Sequence, residues 1–100
     1  MGNNLAANPI FVDTTDATLW SGTKNVRLIQ WIDDNADIVH DSSVVFLING
    51  VTLTAKIQPV NDQLGFGAVA WQIGPFNPGI PMADVGVTIT SAGHVHIWVD

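Results

Sequence analysis

The stretch SVVFLINGVTLTAKI, residues 43–57, restricts the possible folds of this chain more than any other. At its centre lies Asn49-Gly50, the strongest short signal for a β-hairpin, because both central positions of a type I′ turn need positive φ. A two-residue loop there predicts one apolar face, which pairs Ile48 with Val51, Phe46 with Leu53 and Val44 with Ala55. The other face pairs Leu47 with Thr52, Val45 with Thr54 and Ser43 with Lys56. A slip of one residue would bury Lys56 and the threonines of this second face, so the sequence specifies the register.

Short strand-like runs follow one another along the rest of the chain, separated by turn signals. Besides the two strands of the hairpin they read IFVD, VRLIQWI, AVAWQI, VGVTIT and HVHIWV. The chain has no Glu and only three Lys and Arg together, so good helix formers are few. We therefore predict an all-β fold, an antiparallel β-sandwich or small barrel of the jelly-roll or immunoglobulin-like kind, with about seven or eight short strands. Residues 10–100 would form this single domain, preceded by an extended N-terminal arm, residues 1–9.

A second hairpin is predicted near the end of the sequence, in VGVTITSAGHVHIWV. Its three-residue loop would be Ser91-Ala92-Gly93, with glycine at the left-handed position. The core face would pair Ile89 with Val95, Val87 with Ile97 and Val85 with Val99. On the outer face Trp98 would cover Gly86, and the two histidines would lie opposite threonines.

The segment GPFNPGIPMAD, residues 74–84, is predicted to be a surface loop, because it contains three prolines and two glycines. Its apolar residues Phe76, Ile80 and Met82 would either contact a partner or fold back over one end of the sandwich.

Composition narrows the possible partners and compartments. The chain carries a formal charge of −6 without a basic cluster, so we expect no binding to nucleic acid. No run of apolar residues is long enough to span a membrane, and the sequence does not open with a signal-peptide pattern. Because the chain has no Cys, it can form neither disulfides nor thiolate metal sites. Apolar residues make up 47% of the chain and charged residues only 12%, which favours burial of spare apolar surface between subunits of an oligomer.

His94 and His96 are the first candidates for chemistry. Their spacing puts both imidazoles on one face of a strand, as in several metal sites, but a metal needs further ligands. His40 or an aspartate could supply one only through tertiary proximity, and the Glu of a cupin-like site is absent from the chain. We therefore favour a solvent-facing strand and predict no metal and no cofactor, with a jelly-roll metalloenzyme as the remaining alternative.

The segment DDNAD places Asp33, Asn35 and Asp37 at the spacing that opens a calcium loop. Such a loop needs Gly at its sixth position and Glu at its twelfth, where this chain has Ile38 and Val44. We interpret the segment as a polar turn.

No sequence pattern supports a nucleophilic serine or a phosphate-binding glycine loop, so we do not predict an enzyme. The four tryptophans raise the possibility of a sugar-binding module, because such modules use aromatic platforms. Trp31 and Trp71 lie mid-strand among apolar residues and are predicted to pack in the core. Trp98 is predicted to lie outside, against Gly86, a sugar or a neighbouring subunit.

Several stretches together carry a family resemblance: NPIFVDTT, VRLIQWIDDNADI, the strand pair with the Asn-Gly turn, the Pro/Gly loop and the closing VGVTITSAGHVHIWV. This arrangement resembles small β-rich proteins encoded in the structural-gene regions of tailed bacteriophages. The matching positions are Trp31, Asp33, Asp34, Val87, Thr88, Thr90, Gly93 and Trp98, although Trp98 stands where the family has Tyr.

The resemblance implies a non-enzymatic virion protein, made in the host cytoplasm and assembled with other capsid or tail subunits. We expect a capsid decoration (cement) protein that forms a homo-oligomer; the alternative is a tail-fibre, baseplate or carbohydrate-binding module for host glycans. Val45, Leu47 and Trp98 are the predicted subunit contacts, and the arm around Pro9 and Ile10 would reach a neighbour. The sequence leaves open whether Val45 and Leu47 face a subunit or a second sheet of the same chain.

Overall fold

The computed structural model describes residues 3–33, 38, 42–56, 69–89 and 93–100. Within them all regular secondary structure is β, which confirms the predicted all-β fold, and the paired strands are antiparallel. The strands are β1 (Ile10–Val12), β2 (Asp16–Ile32), β3 (Ser43–Ile48), β4 (Val51–Lys56), β5 (Val69–Ile73), β6 (Ile80–Ile89) and β7 (His94–Val99).

The hairpin predicted at Asn49-Gly50 is confirmed residue by residue, from Ile48 opposite Val51 at the turn to Ser43 opposite Lys56 at the far end. Asn49 and Gly50 have φ angles of 52° and 80°, both positive as a type I′ turn requires. The backbone N–H of Asn49 donates to the carbonyl oxygen of Ala83 at 3.0 Å. Its side-chain Oδ1 accepts from the backbone N–H of Ala83 at 2.6 Å. The turn is thereby fixed to β6 as well.

The long strand β2 takes part in both halves of the sheet. Residues 16–26 pair with β6, whereas residues 26–32 pair with β7, and residues 29–32 also pair with β5 on the other edge. One half-sheet is therefore β1-β7-β2-β5, and the other is β2-β6-β3-β4. Val26 marks the passage between them, since it pairs with Ile80 of β6 and with Val99 of β7.

Apolar side chains from both half-sheets meet in one core. Phe46 of β3 stacks on Trp71 of β5, with ring centroids 5.2 Å apart and ring planes at 24°, so the half-sheets contact each other as two layers. The core positions predicted for two tryptophans are confirmed, since Trp31 is fully buried and Trp71 packs against the core. The other large buried side chains include Ile10, Val12, Val26, Ile29, Val44, Val85, Val87, Val95 and Ile97.

The predicted hairpin between β6 and β7 is wrong, because these two strands belong to different half-sheets. Trp98 lies opposite Leu28 of β2 rather than opposite Gly86, which lies opposite Leu47 of β3. A side chain at position 86 would overlap the carbonyl oxygen of Ala17, so Gly86 admits a closely approaching backbone instead of a tryptophan ring. Alternation correctly predicts which residues face the core, but it does not identify the partner strand.

The predicted Pro/Gly loop is shorter than expected, because β6 already begins at Ile80. Pro81 pairs with Asn25 of β2, and Met82 is buried. Phe76 packs against the core, whereas Ile80 stays 39% exposed. The apolar residues of this segment therefore divide between the core and the surface.

Residues 3–9 lie against β1 and β7 of the same chain. Asn4 and Phe11 exchange backbone hydrogen bonds of 2.8 and 3.0 Å. The side-chain oxygen of Asn3 accepts from the backbone N–H of Asp13 at 2.9 Å. The side-chain amide of Asn8 bonds both backbone groups of Val99, at 2.9 and 3.1 Å, as a neighbouring strand would.

Candidate functional site

An open apolar groove, which we call the β3 groove, lies on the outer face of the half-sheet β2-β6-β3-β4. Its volume is about 180 Å³. The residues that line it come from four strands and are Ala17, Val45, Leu47, Thr52, Gly86, Val87 and Thr88.

The alternation of β3 explains why apolar side chains line this groove. Val44 and Phe46 are fully buried in the core, so Val45 and Leu47 point to the opposite face, where they remain partly exposed. Gly86 lies directly opposite Leu47, and the backbone of Ala17 packs where a side chain of residue 86 would be, so main chain forms this part of the groove wall. The result is a concave surface that could accept an apolar group from another molecule.

A cluster of four rings, which we call the ring face, lies on the half-sheet β1-β7-β2-β5. The ring of Phe11 lies 5.1 Å from that of His94 and 5.8 Å from that of His96, between centroids. The two imidazoles are 4.7 Å apart. Trp98 meets His96 edge-on, with 5.5 Å between centroids and planes at 81°. All four side chains are partly buried, so each presents only part of its ring to solvent.

Two side-chain amides extend the ring face across the sheet. His96 lies opposite both Phe11 of β1 and Gln30 of β2, and Gln30 lies opposite Gln72 of β5. The Nε2 of Gln30 donates to Oε1 of Gln72 at 3.1 Å. A row of two rings and two amides therefore crosses four neighbouring strands. It contains no carboxylate, ammonium or guanidinium group, although the whole chain carries a formal charge of −6.

The histidine pair has the geometry of a strand face, as the sequence predicts. Among the residues that the structure describes, no group of three or more His or Asp side chains could hold a metal ion. His40, the third histidine considered as a ligand, lies outside the described residues. The metalloenzyme alternative therefore stays untested.

Of the segment considered as a calcium loop, Asn35 and Asp37 lie outside the described residues. Asp33, which directly follows β2, is fully buried. Ile38 is also fully buried and belongs to the core.

The predicted contact residues do not form a single surface. Val45 and Leu47 line the β3 groove, whereas Trp98 lies in the ring face on the other half-sheet. Pro9 is partly buried beside β1. Ile10 is 1% exposed and packs in the core of its own chain, so its side chain does not reach the surface.

Sequence reasoning missed Phe11, Gln30 and Gln72 as members of the ring face. Each stands in a predicted strand, but their proximity depends on which strands pair, and alternation gives no information about pairing. The sequence around Phe11 did contain a pattern that could have identified one member of the ring face. Phe11 alternates with buried Ile10 and Val12, which places its ring on the outer face once β1 is recognised as a strand.

The described residues contain no helix long and apolar enough to cross a membrane. Comparisons of the chain with protein-family models, with curated proteins and with solved structures find no match.

Proposed function

We propose that this protein is a non-enzymatic structural protein of a bacteriophage virion, most specifically a capsid decoration or cement protein that binds the shell through the β3 groove. Two observations support the proposal. Short structural motifs along most of the chain resemble small virion proteins of tailed phages. The β3 groove, which carries the proposal, presents apolar side chains that the core does not use.

The chemistry of the β3 groove suits a protein partner. Val45 and Leu47 provide apolar area in a groove of about 180 Å³, which is large enough for a side chain to enter. Apolar anchors that fill such pockets supply much of the affinity at protein interfaces. A surface of this kind on a small protein with few charges suits repeated docking in a symmetric shell.

The double substitution Val45→Ser/Leu47→Ser tests this docking surface. Each side chain contributes roughly 1.5–3 kcal/mol when fully buried, so losing both should weaken binding to the shell about a hundredfold or more. The measurement is quantitative mass spectrometry of purified virions of the encoding phage, which counts copies of the protein per particle.

Val69→Ser is the matched control, because Val69 is 45% exposed on β5 of the other half-sheet. It should leave the copy number unchanged. Circular dichroism of both purified variants checks that they remain folded. Absence of the wild-type protein from the particles would refute the virion role, and normal incorporation of the double variant would refute the groove as the docking surface.

The ring face favours a second candidate function, recognition of neutral saccharides. Aromatic rings stack on the apolar faces of sugar rings, and amide groups bind their hydroxyls. The row from Phe11 through His96 and Gln30 to Gln72 combines both kinds of group without a formal charge. In a virion protein this activity would belong to a fibre or baseplate module that binds host glycans.

A panel of neutral oligosaccharides, followed by tryptophan fluorescence and by NMR of the glutamine side-chain amides, tests this second function. Trp98→Ala and Gln30→Ala should each weaken binding about tenfold, the loss expected for one stacking or hydrogen-bonding group. The Val45→Ser/Leu47→Ser variant should bind normally. A panel that leaves both signals of the wild-type protein unchanged would exclude saccharide recognition at this face.

A further inference from the structure

Strand β4 presents a long apolar edge to solvent. Of its six residues only Ala55 is buried. Val51 is 65% exposed and Leu53 is 36% exposed, although both lie on the face that pairs with apolar residues of β3. Natural β-proteins usually protect such an edge, because its unpaired N–H and C=O groups can bind another strand.

The other terminal strand of the sheet order, β1, is protected in this way. Its outer edge is occupied by Asn4, which exchanges two backbone hydrogen bonds with Phe11. Asn3 then binds the backbone that follows β1. Among the described residues β5 also pairs with one strand only, β2, so the choice of β4 rests on the sequence of that strand.

The direction of the backbone groups in β4 follows from the turn. The N–H of Asn49 donates to β6, and the backbone N–H and C=O groups of successive strand residues point to opposite sides. The odd-numbered residues of β3 therefore direct these groups toward β6, and the even-numbered residues direct them toward β4. In β4 the partners of those even-numbered residues are Val51, Leu53 and Ala55. The backbone groups of Thr52 and Thr54 therefore point away from β3, on the edge of β4 where the described residues place no other strand.

We propose that β4 pairs antiparallel with β4 of a second copy, about a two-fold axis at Leu53, to form a homodimer with one continuous sheet. In this register Leu53 faces Leu53 of the other copy, and Val51 faces Ala55. Each Thr52 faces a Thr54, and because both residues direct their N–H and C=O groups outward, each such pair exchanges both backbone hydrogen bonds.

The segment is complementary to itself, which argues for a second copy as the partner. The register brings apolar residues together on one face and threonines on the other, both favourable cross-strand pairs. Residues 51–55 carry no charge, and Lys56 lies beyond the paired segment, so the two copies do not place like charges opposite each other. A two-fold pairing also closes on itself, because it uses the β4 edge of each copy, and this limits the assembly to a dimer.

One strand pair is a small interface, so we expect a dimer that dissociates on dilution. Sedimentation velocity of the full-length wild-type protein over a range of concentrations should show a monomer–dimer equilibrium. Hydrogen exchange at the amides of Thr52 and Thr54 should slow about tenfold or more at the dimeric end of the range, because only there are these N–H groups bonded.

Two substitutions break the pairing in different ways. Thr54→Pro removes an N–H that β3 does not use, and Leu53→Lys sets two ammonium groups opposite each other across the axis. Each should weaken dimerisation about tenfold or more. Val69→Lys adds the same charge at an exposed apolar position of β5, 45% exposed against 36% for Leu53, and should dimerise like the wild type.

Loss of the dimer in Leu53→Lys, with its retention in Val69→Lys, supports the pairing even if Thr54→Pro does not fold. A wild-type protein that stays monomeric up to about 1 mM overturns it. So does any assembly that survives the substitutions at Leu53 and Thr54. The Leu53→Lys result is independent of the β3 groove, since Leu53 pairs with Phe46 on the other face of the hairpin.

Discussion

At the scale of single residues, Gly86 has a role that composition could not predict. It lies in a buried stretch of β6, where the β2 backbone approaches so closely that a Cβ would overlap the carbonyl oxygen of Ala17. The pairing of β2 with β6 is irregular at this point, because the register shifts between Asp16 and Trp20. Ala17 and Gly86 both line the β3 groove, so this close backbone approach also shapes that surface.

Gly86→Ala should therefore destabilise the fold, because the obstacle is backbone that cannot rotate away. We expect the free energy of unfolding to fall by about 2–4 kcal/mol, the range of severe steric changes in a packed interior. Gly22→Ala is the matched control, since Gly22 lies in exposed β2 with nothing within 4 Å of its added Cβ. Urea denaturation of both variants measures the difference in their free energies of unfolding. Equal values would show that the β2 backbone can shift away from residue 86 at little energetic cost.

At the scale of elements, β2 connects the two half-sheets physically. Residues 16–26 belong to the half-sheet that carries the β3 groove, and residues 26–32 to the half-sheet that carries the ring face. Trp20 strengthens the first connection, because its indole Nε1 donates to the carbonyl oxygen of Met82 at 3.0 Å in a buried position. The two candidate surfaces are therefore built on one shared strand.

Because of this shared strand we expect the half-sheets to unfold together in a single transition. Loss of either one would remove one or two of the three strands that pair with β2 and would expose the common core. Far-ultraviolet circular dichroism and tryptophan fluorescence should give coincident urea curves, and the slowest amides of β3 and β7 should exchange with the same free energy of opening. Two separated transitions would show that the halves are independent.

At the scale of the whole molecule, the sequence predicts what depends on local patterns and misses what depends on strand pairing. The hairpin at Asn49-Gly50 was predictable because its turn chemistry and its alternation agree over six residue pairs. The absence of β6–β7 pairing was not predictable from the turn. Gly93 has the expected positive φ of 87°, but β6 and β7 on either side of the turn belong to different half-sheets. A three-residue glycine loop and a sheet-to-sheet connection have similar local sequences.

The candidate surfaces likewise combine features that local sequence patterns predict with features that depend on strand pairing. That Val45 and Leu47 share the face opposite Phe46 was predictable, because their hairpin register is specified by sequence, but whether that face meets a second sheet or another subunit was not. The groove they line also needs Ala17 and Gly86, which come from strands distant in the chain. The ring face depends on the β1–β7 and β2–β5 pairings, which no local pattern encodes.

The double pairing of β2 also restricts how such a protein can evolve. Between residues 29 and 32 this strand has a neighbour on each edge, so an inserted residue would have to bulge against β5 and β7 at once. Without a bulge, every later residue of the strand would exchange faces, and Trp31 would leave the core. Lineages of this fold should therefore keep the length of β2 constant and place their insertions in the connections between strands, where new surface features can arise without disturbing the sheet.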